Sequence, residues 1–182
     1  MSLVTPYTIT AGDTPSSAEL NTHTDATLQL QGGAPAAGAL DFAQLIQIVA
    51  QSVNNATWTS LTFTSEGIDS ASGHSTTTNT SRYTAVTAGW FEFSGVVAFV
   101  FNATGARGGR FAKNGTAIGQ PIILDAVGVT YATCVPVPTR KIQLAVGDYV
   151  ELQGFQSSGG ALNTAYTAGN EGSVLEVRWC HS

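Results

Sequence analysis

From Trp58 onward the chain alternates apolar and polar positions with a period of two, the repeat of a strand with one buried face. Trp58, Ser60 and Thr62 alternate with Thr59, Leu61 and Phe63. A polar stretch, Glu66–Ser81, reads as a loop, and Arg82–Val86 as a short strand. Thr87-Ala88-Gly89 turns the chain into the longest expected strand, Trp90–Phe101. There Phe91, Phe93, Gly95, Val97, Phe99 and Phe101 share one face, and Trp90, Glu92, Ser94, Val96, Ala98 and Val100 the other.

Gly109–Lys113 leads into Asn114-Gly115, the dipeptide that favours a type I′ hairpin because both positions need positive φ. The return strand is Thr116–Ile118. Further strands are expected at Ile122–Leu124, Val127–Val135, Ile142–Leu144, Tyr149–Phe155 and Val174–Trp179, with a turn at Gly147-Asp148. Eight or more strands, turning about every ten residues with no helix between them, predict an all-β sandwich or jelly roll.

The first third follows another pattern. Thr14 to Leu20 carries a helix start: a capping Thr14, Pro15 at the first helical position and Glu19 in the opening turns. Gly32-Gly33-Ala34-Pro35 stops it, and Ala34–Ala39 reads as a small-residue linker. Leu40–Val53 is apolar and fits helical spacing or a buried strand; a strand from about Ile46 is the expectation. Residues 1–45 thus read as an extended or partly helical arm, and 46–182 as the head. The arm has few large apolar residues before Leu40, so burial within the isolated chain would not offset an ordering cost of about 1–2 kcal/mol per residue. It is expected to order only on a partner.

Composition sharpens this picture. Only 10% of the 182 residues are charged and 43% are hydrophobic, well short of the roughly 25% charge of ordinary soluble proteins. Such a surface suits packing against copies of the same chain. Residues 1–81 hold six acids and no Lys or Arg; residues 82–182 hold seven bases and six acids, so −6 and +1 give the net −5. An acidic arm repels nucleic acid and anionic lipid, so neither nucleic acid nor membrane is an expected partner. Met1–Pro6 lacks a basic start and an apolar core, so no signal peptide is expected. No run approaches the roughly 18 apolar residues of a membrane span.

Five stretches occur in an order that resembles complement-type, tumour-necrosis-factor-like globular heads. They are Arg82-Tyr83-Thr84, Ala88–Phe93, Arg110–Thr116, Leu144–Leu152 and Val174–Trp179. Asn54–Thr59, Gly73-His74 and Asn79–Arg82 are more specifically similar to the heads of phage minor tail and fibre proteins, and Thr10–Asn21 to the leader that precedes them. The resemblance spans about residues 47–182 and 8–25. It implies a jelly roll of about ten strands that forms a homotrimer in a virion, assembled in the host cytoplasm, without a catalytic centre. It also implies partners: a second virion protein held through residues 1–45, and a host surface glycan or receptor. A capsid decoration protein or head fibre is the alternative to a tail appendage.

In such heads the inner sheet meets the neighbouring subunits. Carried onto this chain, the resemblance assigns Trp90, Glu92, Val96, Ala98, Val100, Tyr149, Glu151, Phe155, Glu176 and Arg178 to the trimer interface, with Arg178 expected to bond one of the glutamates, within a subunit or across subunits.

The chemistry motifs are missing. There is no Gly-x-Ser-x-Gly, P-loop, dinucleotide fingerprint or His-Glu-x-x-His, so no catalytic residue and no cofactor are expected. His23, His74 and His181 lie far apart and read as surface or loop histidines. Cys180-His181 supplies only two of the three or four ligands a metal site needs. Asp125, Asp148, Glu151 and Glu176 could be assembled into a glycosidase pair as could any of the twelve acids, but Glu151 and Glu176, inside alternating strands, read as polar faces or interface ion pairs. Arg107-Gly108-Gly109-Arg110 reads as an exposed basic turn without flanking aromatics. Cys134 and Cys180 are too few for a disulfide framework, and whether they pair stays open.

Overall fold

The computed structural model describes residues 42–126, 131–166 and 172–181. The expected arm and its helix lie outside these residues. Twelve strands occur among the described residues: β1 (Phe42–Ile46), β2 (Ser52–Val53), β3 (Thr59–Ser60), β4 (Ser65–Asp69), β5 (Arg82–Thr84), β6 (Gly89–Phe99), β7 (Ala106–Lys113), β8 (Thr116–Asp125), β9 (Thr133–Leu144), β10 (Tyr149–Gln156), β11 (Leu162–Asn163) and β12 (Val174–His181).

They form two five-stranded antiparallel sheets. Sheet one runs β4-β1-β12-β6-β9. Sheet two runs β3-β10-β7-β8, with β5 also on β10. A small β2–β11 pair closes one end. This is the expected all-β jelly-roll sandwich, and no described residue is helical.

The period-two alternation explains the layering. Phe91, Phe93, Val97 and Phe99 of β6, with Leu45, Leu175 and Val177 beside them, point inward from sheet one. Tyr83, Phe111, Val150 and Leu152 meet them from sheet two. Phe91 and Phe93 stack loosely with Tyr83 at ring separations of 6.1 and 6.4 Å, within the range in which aromatic pairs attract. Phe101 lies past the end of β6 and is exposed, so the inward stripe stops at Phe99. The Asn114-Gly115 turn forms as expected, with φ of 49° and 78° joining β7 to β8.

Several boundaries differ from expectation. The strand expected from about Ile46 ends there instead: β1 starts at Phe42 and pairs β12 on one side and β4 on the other. Ser65–Asp69, read as loop because it is polar, is the strand at the sheet's edge, where neither face needs to be fully apolar. The segments expected as Val127–Val135 and Ile142–Leu144 are one strand, β9, from Thr133 onward; residues 127–130 lie outside the described set. Pro136 and Pro138 fall inside this strand, which is possible because β9 is an edge strand, where a residue lacking N–H is tolerated. A bulge opposite Phe93–Gly95 absorbs the extra length.

Arg107-Gly108-Gly109-Arg110 is not an exposed turn. It lies within β7, and Arg107 is fully buried. Its Nη1 donates to the carbonyls of Thr104 and Ala106 at 3.0 and 2.9 Å, and its Nη2 to that of Asn102 at 2.8 Å. His74, read as a surface or loop histidine, has a buried ring whose nitrogens lie 2.8 and 3.1 Å from the carbonyls of Arg82 and Phe63. The two cysteines are free. Cys134 stands opposite Ala98 and Cys180 beside Trp90, about 25 Å apart along β6 by strand rise. A disulfide needs Cα atoms within about 7 Å, so they do not pair within the chain.

Candidate self-association face

Strand register decides which side chains share the outer face of sheet one. With Phe91, Phe93 and Val97 inward, Trp90, Glu92, Ser94, Val96 and Ala98 point away from the core. On β12 the same logic turns Val174, Glu176 and Arg178 outward beside buried Leu175 and Val177. Phe42, Gln44 and Ile46 join them from β1, and Cys134, Pro136 and Lys141 from β9.

The pairings arrange these residues in rows across the sheet. Ile46, Val174, Val96 and Pro136 stand side by side as an apolar row. Ala98 and Cys134 extend it toward one end, where Val100 is exposed. The next row is polar and bonded: Glu176 accepts from Gln44 Nε2 at 3.3 Å and from Ser94 Oγ at 3.0 Å. Beyond it Phe42, Arg178, Glu92 and Lys141 align. Trp90 follows, about one third exposed, with the His181 ring 6.5 Å away.

Seven of the ten residues expected at the interface (Trp90, Glu92, Val96, Ala98, Val100, Glu176, Arg178) thus come from this face or its immediate end. The other three do not. Tyr149, Glu151 and Phe155 belong to β10, in the middle of sheet two, and face outward from the opposite side of the sandwich. The strand beside β6 is β9. The resemblance carried β10 into the sheet of β6, whereas the topology places it in the other sheet. The residues this reasoning missed, Phe42, Gln44, Ile46 and Pro136, carried a usable signal: Ala43 and Leu45 alternate with them.

Among the described residues of one chain, Arg178 makes no ion pair with a glutamate, which leaves the expected bond to form between subunits. Glu92 is its register partner, yet the ion pairs among the described residues are His74–Glu66 at 4.0 Å and Lys113–Asp148 at 2.8 Å. Arg178, Glu92 and Lys141 therefore present alternating charges with no ion-pair partner among the described residues.

Around Trp58, Arg110 and Gln153 the outer face of sheet two is, by contrast, satisfied internally. Arg110 lies 4.2 Å over the Trp58 ring and donates through Nε to Gln153 Oε1 at 2.8 Å. Gln153 Nε2 in turn donates to Ser60 Oγ, and Ser81 Oγ donates to Glu151. The four carboxylates weighed as a catalytic pair are dispersed. Glu151 and Glu176 lie on different sheets, Asp125 ends β8, and Asp148 is held in the β9–β10 turn by Lys113, Asn114 and the Ala145 amide. These contacts hold its carboxyl well below the usual carboxylate range.

By sequence the chain matches no family model and no curated protein. Solved structures do match its fold. The globular domain of zebrafish complement 1qA protein is 12% identical with a TM-score of 0.53, covering 75% of this chain and 94% of that one. Murine APRIL is 12% identical with a TM-score of 0.57 over 78% and 99%. The PRD1 vertex protein P5 is 12% identical with a TM-score of 0.54 over 79% and 100%. The chain is therefore similar to jelly-roll heads of the complement and tumour-necrosis-factor type, one of them from a phage.

Proposed function

We propose that this chain is a structural virion protein of a bacteriophage: a homotrimeric surface appendage, of the minor tail or fibre kind, that contacts the host surface. The observation that carries the reading is the outer face of sheet one. An apolar row, Ile46–Val174–Val96–Pro136, lies parallel to a row of unpaired charges, Arg178–Glu92–Lys141. Burying the first row against copies of the chain removes apolar surface from water, at about 25 cal/mol per Å². The second row gives those copies a register, because opposite charges must meet across the seam. The function needs no catalytic residue and no cofactor.

The segment that precedes β1, residues 1–41, is the one we assign to anchoring on a second virion protein, since Phe42–Ile46 belong to sheet one. A second reading, a decoration protein or head fibre docked on the capsid through the same segment, is favoured by the likeness to a phage vertex protein. Electron microscopy of intact particles tests both. A threefold density of this shape on the tail supports the first reading and one on the shell the second; its absence from the particle contradicts both.

A further inference from the structure

A cleft of about 280 Å³ opens beside β5, between that strand and the loop of residues 70–81. Ser72, Ser75, Thr78, Asn79, Arg82 and Thr84 line it together with Gly73, His74 and Val86, so hydroxyls, one amide and a single guanidinium share its walls with apolar surface. The loop is held in place before any ligand arrives. Asp69 accepts from the amides of Ala71, Gly73 and His74, and the His74 ring is fixed between two carbonyls. Ser72 and Asn79 hold left-handed backbone, φ 57° and 52°, a conformation uncommon for residues other than glycine and often found at ligand sites.

Arg82 is the uncommitted group. Its guanidinium lies 4.5 Å over the Tyr149 ring, which orients it. Among the described residues no carboxylate lies within ion-pair distance of it. Glu151 is its register partner but accepts from Ser81 Oγ at 2.8 Å. Both oxygens of Asp69 are used by the loop. The cleft therefore offers one oriented fork of donors and a rim of neutral hydrogen-bonding groups.

We infer that this cleft binds a carboxylate-bearing sugar, with the carboxylate on Arg82 and the sugar hydroxyls on the Ser72, Thr78 and Asn79 side chains. A guanidinium matches a planar carboxylate two bonds at a time. A single cation suits a singly charged acid better than a phosphate, and hydroxyls beside the apolar wall of Val86 suit a sugar ring, which carries both hydroxyl and C–H faces. The inference goes beyond self-association and does not depend on it, since the cleft draws on the loop and β5 rather than on sheet one.

The test is a titration of the full ¹⁵N-labelled chain, followed by NMR, with glucuronate, glucose, acetate and phosphate at fixed ionic strength. Glucuronate should shift the Ser72 and Asn79 amides and the Arg82 Nε–H saturably, with a Kd of about 1 mM. Glucose should shift none of them, and acetate and phosphate should bind about tenfold more weakly. Arg82→Gln should abolish the response. Arg82→Lys, which keeps the charge and the fold but loses the fork, should weaken it about tenfold. An absent response to glucuronate, phosphate binding as tightly, or a response unchanged in either variant would overturn the inference. Val96→Asp, on sheet one, should leave binding intact, which separates this result from the self-association reading.

Discussion

Arg107 and Asp148 show how far a residue's role depends on its neighbours rather than on its type. Arg107 is buried without a carboxylate, and desolvation pushes its guanidinium down from its ordinary value. What holds it is a set of three backbone carbonyls, those of Asn102, Thr104 and Ala106, the last of which also accepts from the Ser157 amide. Arg107→Ala should destabilise the fold by about 2–4 kcal/mol, measured by chemical denaturation; a change below 0.5 kcal/mol, the usual scale for exposed sites, would contradict the burial. Asp148 acts through pH. Its folded-state pKa lies below its unfolded value, so its contribution is complete above about pH 4 and disappears as the pH falls further through the folded value. Thermal melts of the parent should therefore drop between pH 4 and pH 2 more steeply than those of Asp148→Asn. Neither environment was visible in sequence: Arg107 was read with its two following glycines as a turn, and Asp148 simply as one turn residue.

At the scale of elements, the strands with one buried and one solvated face were legible because their alternation is strict. Phe91-Glu92-Phe93 and Leu175-Glu176-Val177 announce both face and strand. Short polar strands such as β4 carry no such signal, since only pairing with β1 makes them strands. β9 was split because Pro136–Lys141 lacks a strict apolar alternation, and an edge strand can carry such a stretch within a continuous ladder. Close packing between the sheets was also hidden. A Cβ on Gly109 would stand 2.5 Å from Val137 Cγ2 and 3.2 Å from Val97 Cγ2. Gly109→Ala should therefore cost about 1–3 kcal/mol by overpacking, read as a lowered denaturation midpoint. An unchanged midpoint would mean that the two sheets are more loosely packed at this point than the distances imply.

At the scale of the whole molecule, the account rests on sheet one's outer face being covered by copies of the chain. The sequence made most of that face legible through β6 and β12, but topology is not encoded in alternation, so β10 was placed on the wrong sheet. The charged row predicts that Arg178→Ala weakens association while leaving the fold's denaturation midpoint nearly unchanged. Equal loss of both would assign Arg178 to the fold instead. The most direct measurement is sedimentation equilibrium of the full chain and of Val96→Asp at low micromolar concentration. The parent should sediment at three times the 18.8 kDa chain mass, and Val96→Asp as a folded monomer. A monomeric parent, or a trimer that Val96→Asp leaves intact, would contradict the claim.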